Sequence, residues 1–151
     1  MNWRTIKDYP KYQISDAGLV MNSRGHIMKS CYNGHGYMVL CLYKDNKRRH
    51  FKIHRLVAIA FVPNPENKRE VDHIDRCKDN NCISNLRWST RSENLQNVGI
   101  RKDNTSGHKN IHYRKDTNKF VFEKAIDGKK ICKSFRTLEK TIEFKKLFLH
   151  C

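Results

Sequence analysis

Nowhere in this sequence of 151 residues is there a run of about 18 apolar residues, the length a membrane-crossing helix requires. The longest apolar run, Leu56 to Val62, suits a short buried helix or strand, and no long amphipathic basic helix offers itself to an acidic membrane. An apolar leader is also missing, since Met1-Asn2-Trp3-Arg4 leads into charged and aromatic sequence; the expected setting is a reducing interior, cytoplasmic or nucleoid-associated in a host cell. The six cysteines (Cys31, Cys41, Cys77, Cys82, Cys132, Cys151) form no C-x-x-C pair, which argues against a disulfide framework and a structural zinc and predicts free thiols. His108 and His112 have a metal-like spacing without a cysteine pair to accompany them, and read as ordinary residues around a strand.

Acidic residues are scarce as well. Fifteen Asp and Glu stand against thirty-one Lys and Arg, a net charge of +16. Such an excess costs self-repulsion unless a polyanion sits nearby, and nucleic acid is the first candidate. The charge is uneven: residues 1–49 carry nine basic and three acidic residues, 50–100 eight and six, and 101–151 fourteen and six. A middle that keeps its carboxylates between two basic flanks suits a cation-dependent site working on a phosphate backbone. With 38% hydrophobic and 30% charged residues, the composition fits small modules better than one large core.

The pattern of turns divides the chain further. Short strands are expected at Tyr12 to Ser15, Leu19 to Asn22, His26 to Lys29, Tyr37 to Tyr43 and Arg49 to His54, with turns at Ser23-Arg24-Gly25, Asn33-Gly34-His35-Gly36 and Lys44-Asp45-Asn46-Lys47. A helix from Arg55 to Val62 should stop before Pro63-Asn64-Pro65. The middle then reads β-loop-β-α: a strand at Glu70 to Ile74, a polar loop, a strand at Leu86 to Trp88, and a helix from Thr90 to Val98 with Thr90 and Glu93 as a capping box. After a polar linker at 101–109, three strands are expected (Asn110 to Lys115, Lys119 to Ile126, Lys129 to Phe135), the last two joined at Asp127-Gly128. Thr137 can cap a closing helix that presents Leu138, Ile142, Phe144, Leu147 and Phe148 mostly on one side. The fold class is α+β: a β-rich module over 1–49, a ββα centre over 50–100, and a three-stranded antiparallel sheet plus one helix over 110–151.

Cleavage of a phosphodiester needs an activated water and a cation to neutralise charge on the phosphate and leaving oxygen. Asp72 offers a hard oxygen ligand suited to Mg²⁺ or Mn²⁺, His73 a neutral imidazole able to take a proton near pH 7, and Asn94 a neutral carbonyl oxygen. Consecutive strand residues point to opposite faces, so Asp72 and His73 should splay unless the strand ends or twists there.

Val71-Asp72-His73-Ile74-Asp75, Lys78-Asp79-Asn80-Asn81, Ser84-Asn85-Leu86-Arg87-Trp88-Ser89-Thr90 and Glu93-Asn94-Leu95-Gln96-Asn97, preceded by His54-Arg55-Leu56-Val57-Ala58, resemble the HNH motif of phage intron-encoded homing endonucleases. The resemblance covers residues 50–97. It implies a ββα-metal fold acting on double-stranded DNA, with His73 as general base and Asp72 and Asn94 holding one divalent cation, while Asn85 ties the loop between the strands and keeps His73 in place. His54 is expected to anchor the strand-to-helix junction, and Trp88 to belong to the core. Trp3, Ile6, Tyr9, Tyr12-Gln13-Ile14-Ser15, Gly18 and Val20 resemble the small NUMOD-type element that precedes such motifs. Residues from Ser106-Gly107 through Lys119-Phe120-Val121 to Phe135-Arg136-Thr137 are similar to the DNA-binding domain of plant ethylene-response factors, with departures at Lys133, Thr141 and Ile142. The DNA contacts expected there are Arg114, Lys115, Lys130, Lys133 and Arg136. Monomer and dimer both remain open, as do two other readings: a DNA-binding protein with an inactive nuclease centre, and a restriction or repair nuclease of the same fold.

Overall fold

The apolar run Leu56 to Val62 lies almost wholly in one helix, α1 (Ile53–Phe61), around which the first part of the chain is built. The computed structural model describes residues 1–126 and 128–150, and divides the chain into one unit over Met1–Val98 and a second from Gly99 onward. Asp127, on which half of the expected Asp127-Gly128 turn rests, lies outside the described residues, as does Cys151.

In the first unit, β1 (Trp3–Ile6), β2 (Tyr9–Ser15) and β3 (Val20–Asn22) form one antiparallel sheet. A second sheet holds β4 (Cys31–Tyr32), β5 (Met38–Lys44) and β6 (Lys47–Lys52), and β7 (Glu70–His73) pairs with β8 (Leu86–Ser89). A short helix, α2 (Arg91–Asn97), closes the unit. The β5–β6 turn places both Asp45 and Asn46 at positive φ, the backbone a tight two-residue hairpin demands.

Three expectations change. Helix α1 starts at Ile53, not Arg55, and β6 ends at Lys52 rather than running to His54, because Ile53, Leu56, Val57 and Ala60 already follow the helical period and face the core. The strand expected at His26 to Lys29 is reduced to one bridge between Met21 and Ile27. Asn22 Oδ1 accepts the amide hydrogens of both Arg24 and His26 and curls the chain, and the next strand, β4, joins the second sheet. And β1, which the turn pattern did not reveal, pairs along β2 with a bulge between Thr5 and Ile6.

The segments read as separate modules at 1–49 and 50–100 share one core. Ile6, Ile14, Val20, Leu40 and Leu42 from the N-terminal sheets pack with Ile53, Leu56 and Val57 of α1 and with Val71 and Leu86 of the β7–β8 pair. Burying side chains of this size contributes about 1.5–3 kcal/mol each, and no subset of these elements keeps that burial alone. Gly18 sits at the seam at φ +84°, where an added Cβ would lie 2.8 Å from Asn81 Cβ and 3.2 Å from Ile53 Cγ2.

The second unit has β9 (Ile111–Arg114), β10 (Lys119–Ile126) and β11 (Lys129–Phe135) in one antiparallel sheet with β10 central, followed by α3 (Leu138–His150). Phe122 is fully buried and meets Phe144 and Phe148 of α3 edge-on, at ring-centre distances of 5.7 and 5.5 Å. The expected α+β architecture stands in both units.

Candidate active site

Strand β7 alternates strictly, and its two faces carry different chemistry. Glu70 and Asp72 face α2: Asn94 Nδ2 donates to Glu70 Oε2, and one turn later Asn97 Nδ2 donates to Asp72 Oδ1 at 3.0 Å and Oδ2 at 3.1 Å. Val71 and His73 face the other way, into the core side of the unit. The strand ends at His73, but not soon enough to bring the two side chains together: Asp72 and His73, its last two residues, still splay to opposite faces.

Asp72 is buried, with only 6% of its side chain exposed, so its charge requires a partner. Cross-strand register puts Arg87 of β8 directly opposite, and Arg87 Nε and Nη2 donate to Asp72 Oδ2 at 3.0 and 2.8 Å. Asn97 Nδ2 also reaches the His73 carbonyl at 2.8 Å, stitching α2 to the end of the strand. Helix α2 is held by the anticipated capping box: Glu93 N donates to Thr90 Oγ1 at 3.2 Å, and Glu93 Oε2 accepts from Thr90 N at 2.7 Å. That backbone bond, with the Lys68 ammonium at 3.0 Å, holds the Glu93 carboxyl down at about 2.

The His73 ring is buried, and its Nε2 lies 3.4 Å from Asn81 Oδ1. An amide oxygen only accepts, so the neutral ring carries its proton on Nε2 and presents a lone pair at Nδ1. Burial lowers the His73 pKa below the usual 6.5, opposed by the Asn81 bond and the charges of Asp75 and Asp72. The loop beneath the ring is tied by Asn85, which accepts from Asp75 N at 2.9 Å and donates to Asp75 Oδ1 and the Asn80 carbonyl, both at 2.8 Å. The N-terminal sheets brace the same loop: Lys78 Nζ donates to the His35 carbonyl at 2.8 Å, and Ile83 N to the Asp16 carbonyl at 2.8 Å.

His54, the second residue of α1, packs edge-on against His73 with ring centres 4.9 Å apart, and the Tyr37 ring lies tilted against it with centres 5.0 Å apart. Its Nδ1 is buried with no hydrogen-bond partner among the described residues. Burial, reinforced by charge on His73, Lys52 and Arg55, pushes its pKa down to about 3. The unfolded chain protonates this group near 6.5 and the folded chain does not, so its contribution to stability is complete above 6.5 and is lost as pH falls toward 3. Denaturant titrations should show His54 alone removing about 2 kcal/mol between pH 6.5 and about pH 5. His54→Leu should flatten that slope. Trp88 donates its Nε1 hydrogen to the Val62 carbonyl at 3.0 Å and packs against the core.

The donor set suits a hard divalent cation held by few protein ligands. Among the described residues no three His, Cys, Asp or Glu side chains converge, but one buried carboxylate, Asp72, has the Asn97 amide of α2 beside it, and such ions keep several waters. The pattern of residue types singled out Asn94, whereas the amide in contact with Asp72 is that of Asn97. Both lie on one helical face, and only the docking of α2 on β7 distinguishes them.

In the second unit the expected DNA contacts divide. Register places Arg114 and Lys130 on the sheet face opposite Phe122, Lys133 opposite Phe122 across the ladder, and Lys115 and Arg136 just beyond the strands. Lys130 is paired with Glu123 at 2.9 Å.

Comparison with known proteins gives a consistent picture. The HNH endonuclease profile matches residues 51–96 and the NUMOD4 motif profile residues 1–43. The chain is 41% identical over 99 residues to DNA endonuclease I-HmuI of Bacillus phage SP01, covering 64% of this chain and 57% of that protein. It is 30% identical over 115 residues to the H-N-H endonuclease F-TflII of Escherichia phage T5, covering 74% and 60%. These matches span less than two thirds of either relative's length. A solved structure of the HNH homing endonuclease I-HmuI, concerned with its DNA binding and cleavage, superposes with a TM-score of 0.62 at 30% identity, covering 95% of this chain and 82% of that one.

Proposed function

Because the chain belongs to the HNH endonuclease family, we propose that it is a divalent-metal-dependent DNA endonuclease that cuts at preferred sites in the manner of a homing enzyme. One observation supports this above the rest: a buried carboxylate and a buried imidazole with a free Nδ1 stand side by side at the end of β7, on opposite faces of the strand. Opposite faces suit in-line displacement, in which the attacking water and the leaving oxygen lie on opposite sides of phosphorus.

A Mg²⁺ or Mn²⁺ ion, when bound, neutralises charge on the phosphate and leaving oxygen. Asp72 would hold it, with an α2 amide, Asn94 or Asn97, as neutral partner. His73 accepts the water's proton at Nδ1 while Nε2–H stays anchored on Asn81. Asn85 keeps the Asp75–Asn80 loop, and so the ring, from moving. The NUMOD-like segment and the C-terminal sheet, which we read as related to ethylene-response-factor domains, grip duplex DNA in a reducing cytoplasm, with Arg114, Lys115, Lys130, Lys133 and Arg136 as candidate contacts.

Incubating long duplex DNA with the protein and Mg²⁺ or Mn²⁺, then mapping the ends, tests the reading. One preferred sequence is expected; scattered cuts would favour a less selective nuclease, and intact DNA a binding protein with an inactive centre. Since residues 101–151 hold fourteen of the thirty-one basic residues, removing them should weaken duplex binding far more than it slows cleavage at saturating protein. Unchanged affinity in a gel-shift titration would assign the grip to the N-terminal sheets.

A further inference from the structure

Arg87 has no place in the scheme above, yet it makes the strongest contact in the site. Two of its N–H groups converge on a single oxygen of Asp72, Oδ2, while Oδ1 receives only the Asn97 amide. The two partners differ in freedom. Asp72 is buried, whereas 47% of the Arg87 side chain is exposed, so the guanidinium has a path to solvent that the carboxylate lacks.

A buried carboxylate needs a counter-charge at all times, and in this structure Arg87 supplies it. A divalent cation on the same carboxylate would leave Arg87 beside surplus positive charge, with no second carboxylate bonded to it among the described residues. The DNA phosphate brings that compensation, and a guanidinium fork matches two phosphate oxygens. We propose that Arg87 is an exchangeable counter-ion: it neutralises Asp72 while the site holds no cation, gives the carboxylate up when the cation binds, and is handed to the DNA phosphate. Arg87 is in this sense a positioning residue for the cation and a substrate contact once freed. The proposal rests on the reading of Asp72 as a cation ligand.

Two measurements test it on the full chain. In the first, Mg²⁺ is titrated into the ¹⁵N-labelled protein while the backbone amides around Asp72 and the Arg87 Nε–H are followed by NMR. The amides and the Nε–H should shift together and saturate at the same Mg²⁺ concentration. Amides that shift while the Nε–H stays fixed overturn the exchange alone; amides that never shift overturn the cation reading and the exchange with it. This arm needs no substitution, so it stands even where a variant with an uncompensated Asp72 fails to fold. The second arm uses Arg87→Gln and binding of a short duplex, with Ca²⁺ or with chelator. The variant should lose about 10-fold in affinity with Ca²⁺, the scale of a charge-assisted hydrogen bond, and less than about 2-fold in chelator, where the parent's Arg87 is held by Asp72. An equal loss in both conditions, or none in either, overturns the hand-over.

Discussion

His73→Ala should slow DNA cleavage by about 10²–10⁴-fold, the usual worth of a positioned general base, while leaving the affinity for DNA unchanged. The separation is expected because the imidazole is buried and neutral and takes no part in the positive surface that holds phosphates. The pH profile gives a second signature. A base acts in its unprotonated form, and burial lowers the His73 pKa from 6.5; the parent rate should rise with pH along a limb whose midpoint lies below 6.5. In His73→Ala that limb should vanish. Single-turnover rates across pH, measured beside gel shifts, check both points, and a variant that cuts at the parental rate would show that Nδ1 of this ring is not the proton acceptor. Asp72→Ala serves as the companion: it strands Arg87 and removes the anionic ligand, so activity should be lost at any cation concentration.

Salt carries the other large effect. Each phosphate neutralised by Lys or Arg releases condensed counter-ions and adds about −0.9 to the slope of log affinity against log salt on duplex DNA. A chain with a net charge of +16, basic at both ends, should engage on the order of 6–10 phosphates and lose roughly 10³–10⁵ in affinity between about 50 and 200 mM salt. Arg136→Ala should lower the slope by about one if that side chain reaches a phosphate, and by the same amount on any sequence. Lys130→Ala is the informative contrast. Its ammonium is paired with Glu123, so a slope that does not change would mean the pair persists on DNA. Affinity nearly independent of salt would mean that the positive charge serves something other than DNA.

What could be read from the sequence was local. Asp72 and His73 at a strand end and Thr90 with Glu93 as a cap follow from short-range residue types and spacing, and Asn85 as the tie of the loop from the resemblance of the motif; each is found in that position. The features that escaped depend on register and docking. Arg87 faces Asp72 only because β7 and β8 pair with no offset between those residues, a fact written in no short motif. Asn97 and Asn94 share a helical face, and the angle at which α2 meets β7 decides which one reaches the carboxylate. Likewise the single core of residues 1–98 was hidden, because each short strand buries its apolar side against elements distant in sequence.

Gly18 bears on how such proteins are recombined. At this point the loop after β2 touches the polar loop that holds His73, with no room for even a methyl group. A chimera that joins a foreign N-terminal element at residue 49 or 50 must reproduce this seam, along with the Asp16–Ile83 bond beside it, or leave the loop that braces the His73 ring unsupported. Grafting at the 98/99 boundary disturbs neither. The C-terminal unit can therefore be exchanged without touching this packing, while the N-terminal sheets and the β7–β8–α2 centre can only be inherited together.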